Sequence, residues 1–161
     1  MNPHREGALE NTLRSASDKR RTTNWERLGV LYARTALGAA FLSAVCGRFG
    51  LWDGTIDLKH FATFMEYAAA VNSFMPAAAI PFIAWTATFA ETSLGILLIL
   101  GWWPRWVSLA SALLLAMFAT AMAVSFGLES PMDYSVYSAS GAAVLLALHA
   151  SRRNTALALG N

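Results

Sequence analysis

Two charged residues stand where charge is costly. Glu91 lies near the middle of the stretch 81–104, which has no other acidic or basic side chain, and Arg34 lies inside a second apolar segment seven residues after Arg27. A carboxylate near a bilayer centre costs at least ~2.5 kcal/mol on insertion scales, so it must be paired, protonated or put to use. An acid and a guanidinium at comparable depth form an ion pair, pass a proton, or hold the polar head of an apolar molecule. If residues 28 and 100 mark one membrane face, a rise of 1.5 Å per residue puts Arg34 about 10 Å and Glu91 about 13 Å from it. The expectation is therefore an Arg34 to Glu91 pair inside the bundle, with Gly38 and Gly95 four residues further along each helix. Such a pair either orders two helices or serves a ligand, and the residues alone leave both open.

These residues need elements to carry them. Of the 161 residues, 56% are hydrophobic and 14% charged, and the mean hydropathy is +0.43. That balance suits lipid better than water. A span needs roughly 20 apolar residues. Four segments qualify, at about 28–46, 82–100, 105–126 and 134–150. The predicted fold is an all-α integral membrane four-helix up-and-down bundle, with an amphipathic surface helix in the first outer connection, 47–81. That helix follows from Phe61, Phe64, Met65, Ala68, Val71 and Met75 at helical spacing, and it is expected to end near Pro76. Gly101 and Pro104 should stop and restart a helix across a tight turn. Ser130, Pro131 and Asp133 read as the start of the fourth span.

Charge patterning sets the expected topology. Arg5, Arg14, Lys19, Arg20, Arg21 and Arg27 precede the first span, Arg105 sits in the second connection, and Arg152 and Arg153 follow the fourth. By the positive-inside rule, the flexible basic tail 1–27, the turn near Arg105 and the tail 151–161 face the cytoplasm. The first connection, with Arg48 and Lys59, then faces outward. Residues 1–25 have no apolar core followed by a small-residue cleavage site, so the first span is read as its own insertion signal. The net charge of +2 reflects this topology and anionic-lipid contact; no nucleic-acid motif accompanies it.

Several chemistries are disfavoured by counting. Cys46 is the single cysteine, so an internal two-thiol relay is excluded. His4, His60 and His149 do not face one another across a bundle core, which disfavours a haem held by paired histidines, and no metal-ligand cluster or phosphate-cradling glycine loop appears. The sequence encodes no cofactor of its own.

The pattern Arg34-x-x-x-Gly38, then Glu91-x-x-x-Gly95-x-x-Leu98-x-x-Gly101, a basic Arg105, and Pro131-x-Asp133-Tyr134-Ser135 resembles the DoxX-like (DoxX/DoxD) membrane proteins over residues 28–148. The resemblance implies a multi-pass protein of the bacterial cytoplasmic membrane, linked to quinone-dependent oxidation and membrane redox complexes. It implies an accessory or quinone-interacting subunit, at most one part of a quinone-linked oxidoreductase, with a redox partner protein at the outer face. Arg34 and Glu91 would then hold a quinone head group, with Trp85, Tyr134 and Tyr137 as candidate ligand-binding groups. Two other readings stay open: a non-catalytic scaffold or assembly factor, and a small-solute or proton transporter.

Overall fold

The computed structural model describes the backbone of residues 3–54 and 56–159 and the side chains of 24–54 and 56–152. It divides into two compact units, Met1–Ala33 and Arg34–Asn161. Six α-helices are present among the described residues: α1 Pro3–Arg48, α2 Leu58–Val71, α3 Ile80–Leu100, α4 Pro104–Phe126, α5 Glu129–Asp133 and α6 Val136–Leu159. Short 3-10 turns at Leu51–Asp53 and Ala77–Ala79 precede α2 and α3. Where a flexible tail is expected over 1–27, α1 is helical from Pro3, as a segment rich in Arg and Glu with Gly7 its one glycine permits.

Three helices are long and apolar enough to cross a membrane among the described residues: Asn24–Arg48, Ala77–Leu100 and Pro104–Phe126. They contain the first three predicted spans. The fourth predicted span, 134–150, overlaps α6 from Val136 onward, and α6 packs most extensively against α4. Small residues make that approach possible: Ser108, Ser111, Ala112 and Ala119 are buried on α4, as are Ala143 and Ala147 on α6. Ser140 Oγ donates to the Ala112 carbonyl at 2.9 Å, tying the two backbones. In lipid, such van der Waals packing and interhelical hydrogen bonding replace the hydrophobic effect as the source of helix association.

The α3–α4 turn forms where Gly101 and Pro104 place it, although Trp103 also takes a left-handed conformation there, with φ 43°. Gly101 adopts φ 73°, a left-handed conformation open to glycine. Its N–H and that of Trp102 both donate to the Leu97 carbonyl, at 2.9 and 3.2 Å, closing the helix end. Pro104 then opens α4, where its missing N–H costs nothing.

At the other end, α2 is present in the long first connection. The Asp57 side chain caps it by accepting from the Lys59 N–H at 3.0 Å. Phe61, Ala68 and Val71 are buried, and Phe61 and Ala68 cluster with Ile80 and Ala84 of α3. The helix stops at Val71, short of Pro76, because Asn72 turns out of helical geometry and its side chain donates back to the Ala68 carbonyl at 2.9 Å. The start of the last helix also differs from expectation. Ser130 and Pro131 belong to the separate α5, and Ser135, with φ 53°, breaks the chain before α6 begins at Val136. The Tyr134 and Ser135 N–H groups return to the carbonyls of Ser130 and Met132, so the break is hydrogen-bonded.

Candidate functional site

Glu91 is 3% exposed, at the centre of α3. Its partner is Arg48, at the end of α1, whose Nη2 lies 2.6 Å from Glu91 Oε2. The same guanidinium donates through Nη1 to Thr88 Oγ1 at 3.0 Å. Thr88, three residues before Glu91 and on the same face, donates a hydrogen bond to the Ala84 carbonyl at 2.8 Å. The Phe64 ring of α2 lies 3.9 Å from the Arg48 guanidinium carbon, a cation–π contact. Three helices thus converge on one cation: α1 supplies it, α3 neutralises it and α2 covers it.

Arg34 does not meet Glu91. Its Nε donates to the Leu98 carbonyl at 2.9 Å and its Nη2 to the Ile99 carbonyl at 3.2 Å. These carbonyls belong to the last turn of α3, where intrahelical donors run out. Gly101 makes room for the guanidinium, since a Cβ there would strike it. The expected pair fails on the register of the two antiparallel helices, which does not bring residues 28 and 100 level. A Cβ on Gly38 would lie 2.8 Å from the Gly95 carbonyl oxygen, so these two glycines mark the closest approach of antiparallel α1 and α3. Four residues beyond Gly38 in one direction and four beyond Gly95 in the other leave Arg34 and Glu91 about 12 Å apart along the axis. Side chains also lean toward their own helix N-terminus, so Arg34 and Glu91 point away from each other. Arg48 and Glu91 lean together. The contact of the glycines and the contact of Arg34 with Glu91 are mutually exclusive, and the glycines prevail.

A cavity of about 340 Å³ opens beside the Arg48–Glu91 pair. Leu37, Phe41, Ala44 and Arg48 line it from one face of α1, Ile83, Ala84, Ala87 and Glu91 from α3, and Leu115, Phe118 and Met122 from α4. Phe64, Tyr67, Ala68, Val71 and Asn72 form the α2 wall, and Tyr134, Val136 and Ala139 complete it. The walls are apolar apart from the ion pair, the two tyrosines and Asn72. Burial lifts the Tyr67 phenol above its ordinary range, and the nearby Tyr134 adds to this, so Tyr67 keeps its proton and remains a donor. The size lies within the ~300–1,000 Å³ typical of small-molecule sites, and apolar walls with few fixed polar groups are their usual make-up.

The other residues proposed from sequence are dispersed. Tyr134 reaches the cavity but is 73% exposed. Trp85 lies outside the cavity wall, its ring centroid 4.4 Å from that of Phe61 and 5.8 Å from that of Phe89. Tyr137 is likewise outside the wall and partly exposed. Arg48 and Tyr67 are the members that sequence reasoning missed. Composition alone places Arg48 in the outer connection, although it is two residues past Cys46, and the backward lean of helical side chains is the available signal.

Residues 26–133 match the model of the family described as methylamine utilisation protein MauE, and the chain belongs to that family. The match covers Arg34, Arg48 and Glu91. No curated protein and no solved structure matches the chain.

Proposed function

We propose that this MauE-family chain is an accessory membrane protein of a redox system, and that its cavity holds the head group of a quinone-type carrier against Arg48 and Glu91. The single observation that carries the reading is a buried ion pair at the wall of an otherwise apolar cavity of about 340 Å³. A buried pair used for packing alone needs no space beside it. The donor set also fits. Arg48 offers N–H groups to a ring oxygen and Glu91 accepts from a hydroxyl, while the Leu37, Phe41, Ile83 and Leu115 side chains suit an apolar ring. A bound carrier would supply two-electron chemistry. The chain's own residues would orient the ring, exclude water and hold a proton at its oxygen.

The family description names methylamine utilisation. A process that oxidises an amine must pass electrons to an acceptor, which agrees with a redox role for a membrane member. The likeness to DoxX-like proteins over residues 28–148 points the same way. In this reading α6 completes a four-span bundle in the bacterial cytoplasmic membrane, with both termini cytoplasmic, so the Arg48 end faces outward toward a redox partner.

The test is mass spectrometry of lipids extracted from gently purified wild type and Glu91→Gln. Near-stoichiometric quinone in the wild type and its loss in the variant is the expected result. Quinone at background in both would move the assignment to an assembly factor. That second reading has one observation in its favour: Thr88, Glu91 and Phe64 together engage Arg48, which ties α1, α2 and α3 into one packed network. It requires that a charge swap, Arg48→Glu with Glu91→Arg, restore folding and function together.

A further inference from the structure

We infer that the cavity discriminates between redox forms of its ligand, binding a hydroquinone-type head group more tightly than the corresponding quinone. The inference rests on the carrier-binding reading above and adds to it which form the site selects.

The argument is one of donors and acceptors. Glu91, held in an ion pair at 2.6 Å, only accepts hydrogen bonds; Arg48 only donates them. One Arg48 nitrogen is committed to Thr88 at 3.0 Å and the other to Glu91, so a ligand oxygen reaching Arg48 lies beside the carboxylate. A hydroxyl serves both groups at once, donating to Glu91 while accepting from Arg48. A carbonyl oxygen only accepts. It would turn its lone pairs toward the carboxylate and offer Glu91 no hydrogen. The pair is neutral as a whole and Glu91 is 3% exposed, so a ligand bearing net charge would add an uncompensated charge to an apolar cavity. A neutral ring bearing a hydroxyl meets all three conditions. Tyr67, a donor on the α2 wall, serves hydroxyl and carbonyl oxygens alike and does not cancel the preference.

The test uses the full chain in lipid nanodiscs, without oxygen, with empty nanodiscs subtracted for partitioning. Three probes share one ring: tetramethylhydroquinone, tetramethylbenzoquinone, and the dimethyl ether of the hydroquinone, which keeps the ether oxygens but cannot donate. A hydrogen bond to a charged group predicts at least about a tenfold tighter Kd for the hydroquinone than for either other probe. Each tenfold preference raises the midpoint potential of the bound couple by about 30 mV over the free one, because the reduced form is the one stabilised. In Glu91→Gln the amide both donates and accepts, so the gap should close even where some binding survives. Equal Kd for hydroquinone and ether, or tighter binding of the benzoquinone, would overturn the redox preference and leave carrier binding standing. Binding of no probe above empty nanodiscs would overturn both.

Discussion

Arg34 and Arg48 are carried by one helix, fourteen residues apart, and both turn toward α3. Arg34 meets the end of α3, where the Leu98 and Ile99 carbonyls have no intrahelical donor, and it satisfies backbone. Arg48 meets the middle of α3, where every backbone group is bonded, and it satisfies a side chain. The same residue type becomes a helix cap in one place and half of a site in the other. Which role it takes depends on the direction its side chain leans and on what the antiparallel neighbour presents at that level. A cavity lies beside the Arg48 level, and Arg34 is not among its lining residues.

The largest effect should separate the two arginines at once. Arg48→Met leaves Glu91 buried without a counter-charge and should lose ~3–5 kcal/mol, read from denaturant titration in micelles. The double variant with Glu91→Met should recover most of that loss. Next is the glycine contact that sets the register between them. Any side chain at Gly38 places a Cβ 2.7 Å from Ile99 Cγ1 and 2.8 Å from the Gly95 oxygen, so Gly38→Val should cost ~1–3 kcal/mol by overpacking. At Gly141 an added Cβ meets nothing within 4 Å, and Gly141→Ala should stay within about 0.5 kcal/mol of wild type by the same titration.

Arg34→Met removes two charge-assisted bonds to carbonyls near one face of the fold and should cost ~1–2 kcal/mol, with carrier content in lipid extracts unchanged. An equal loss for Arg34→Met and Arg48→Met would erase the contrast between them. Smaller than the loss of either arginine is that of Ser125→Ala, which removes a bond of 2.6 Å to the Val71 carbonyl at the end of the α2 wall. It should cost ~0.5–1.5 kcal/mol and speed exchange of a bound probe measured by stopped-flow fluorescence.

Much of this was legible before any coordinates. Glu91 stood out because nothing else in its stretch is charged, and the first three spans follow from apolar length alone. Gly38 and Gly95 are also visible, four residues along from each charge. The expected Arg34–Glu91 pair, however, takes residues 28 and 100 of antiparallel α1 and α3 as level, and the glycine contact sets another register. In antiparallel helices, four residues onward from each charge move in opposite directions, and only one of the two contacts can form. Arg48 was hidden by position: it closes the helix, and a residue at a helix end reads as part of the following loop. The break at Ser135 has no sequence mark, because a positive φ there falls on serine rather than glycine or asparagine. The cavity itself comes from five helices contributing one face each, a property of packing that no single segment encodes.

The central claim is that the site is built on Arg48 and Glu91, and a pair of double-mutant cycles tests it most directly. Unfolding free energies in micelles for Arg48→Met, Arg34→Met, Glu91→Gln and the two doubles give a coupling energy for each arginine with Glu91. The structure predicts on the order of 1–3 kcal/mol for Arg48 with Glu91 and additivity within about 0.5 kcal/mol for Arg34 with Glu91. Strong coupling of Arg34 to Glu91, with none for Arg48, would contradict the account.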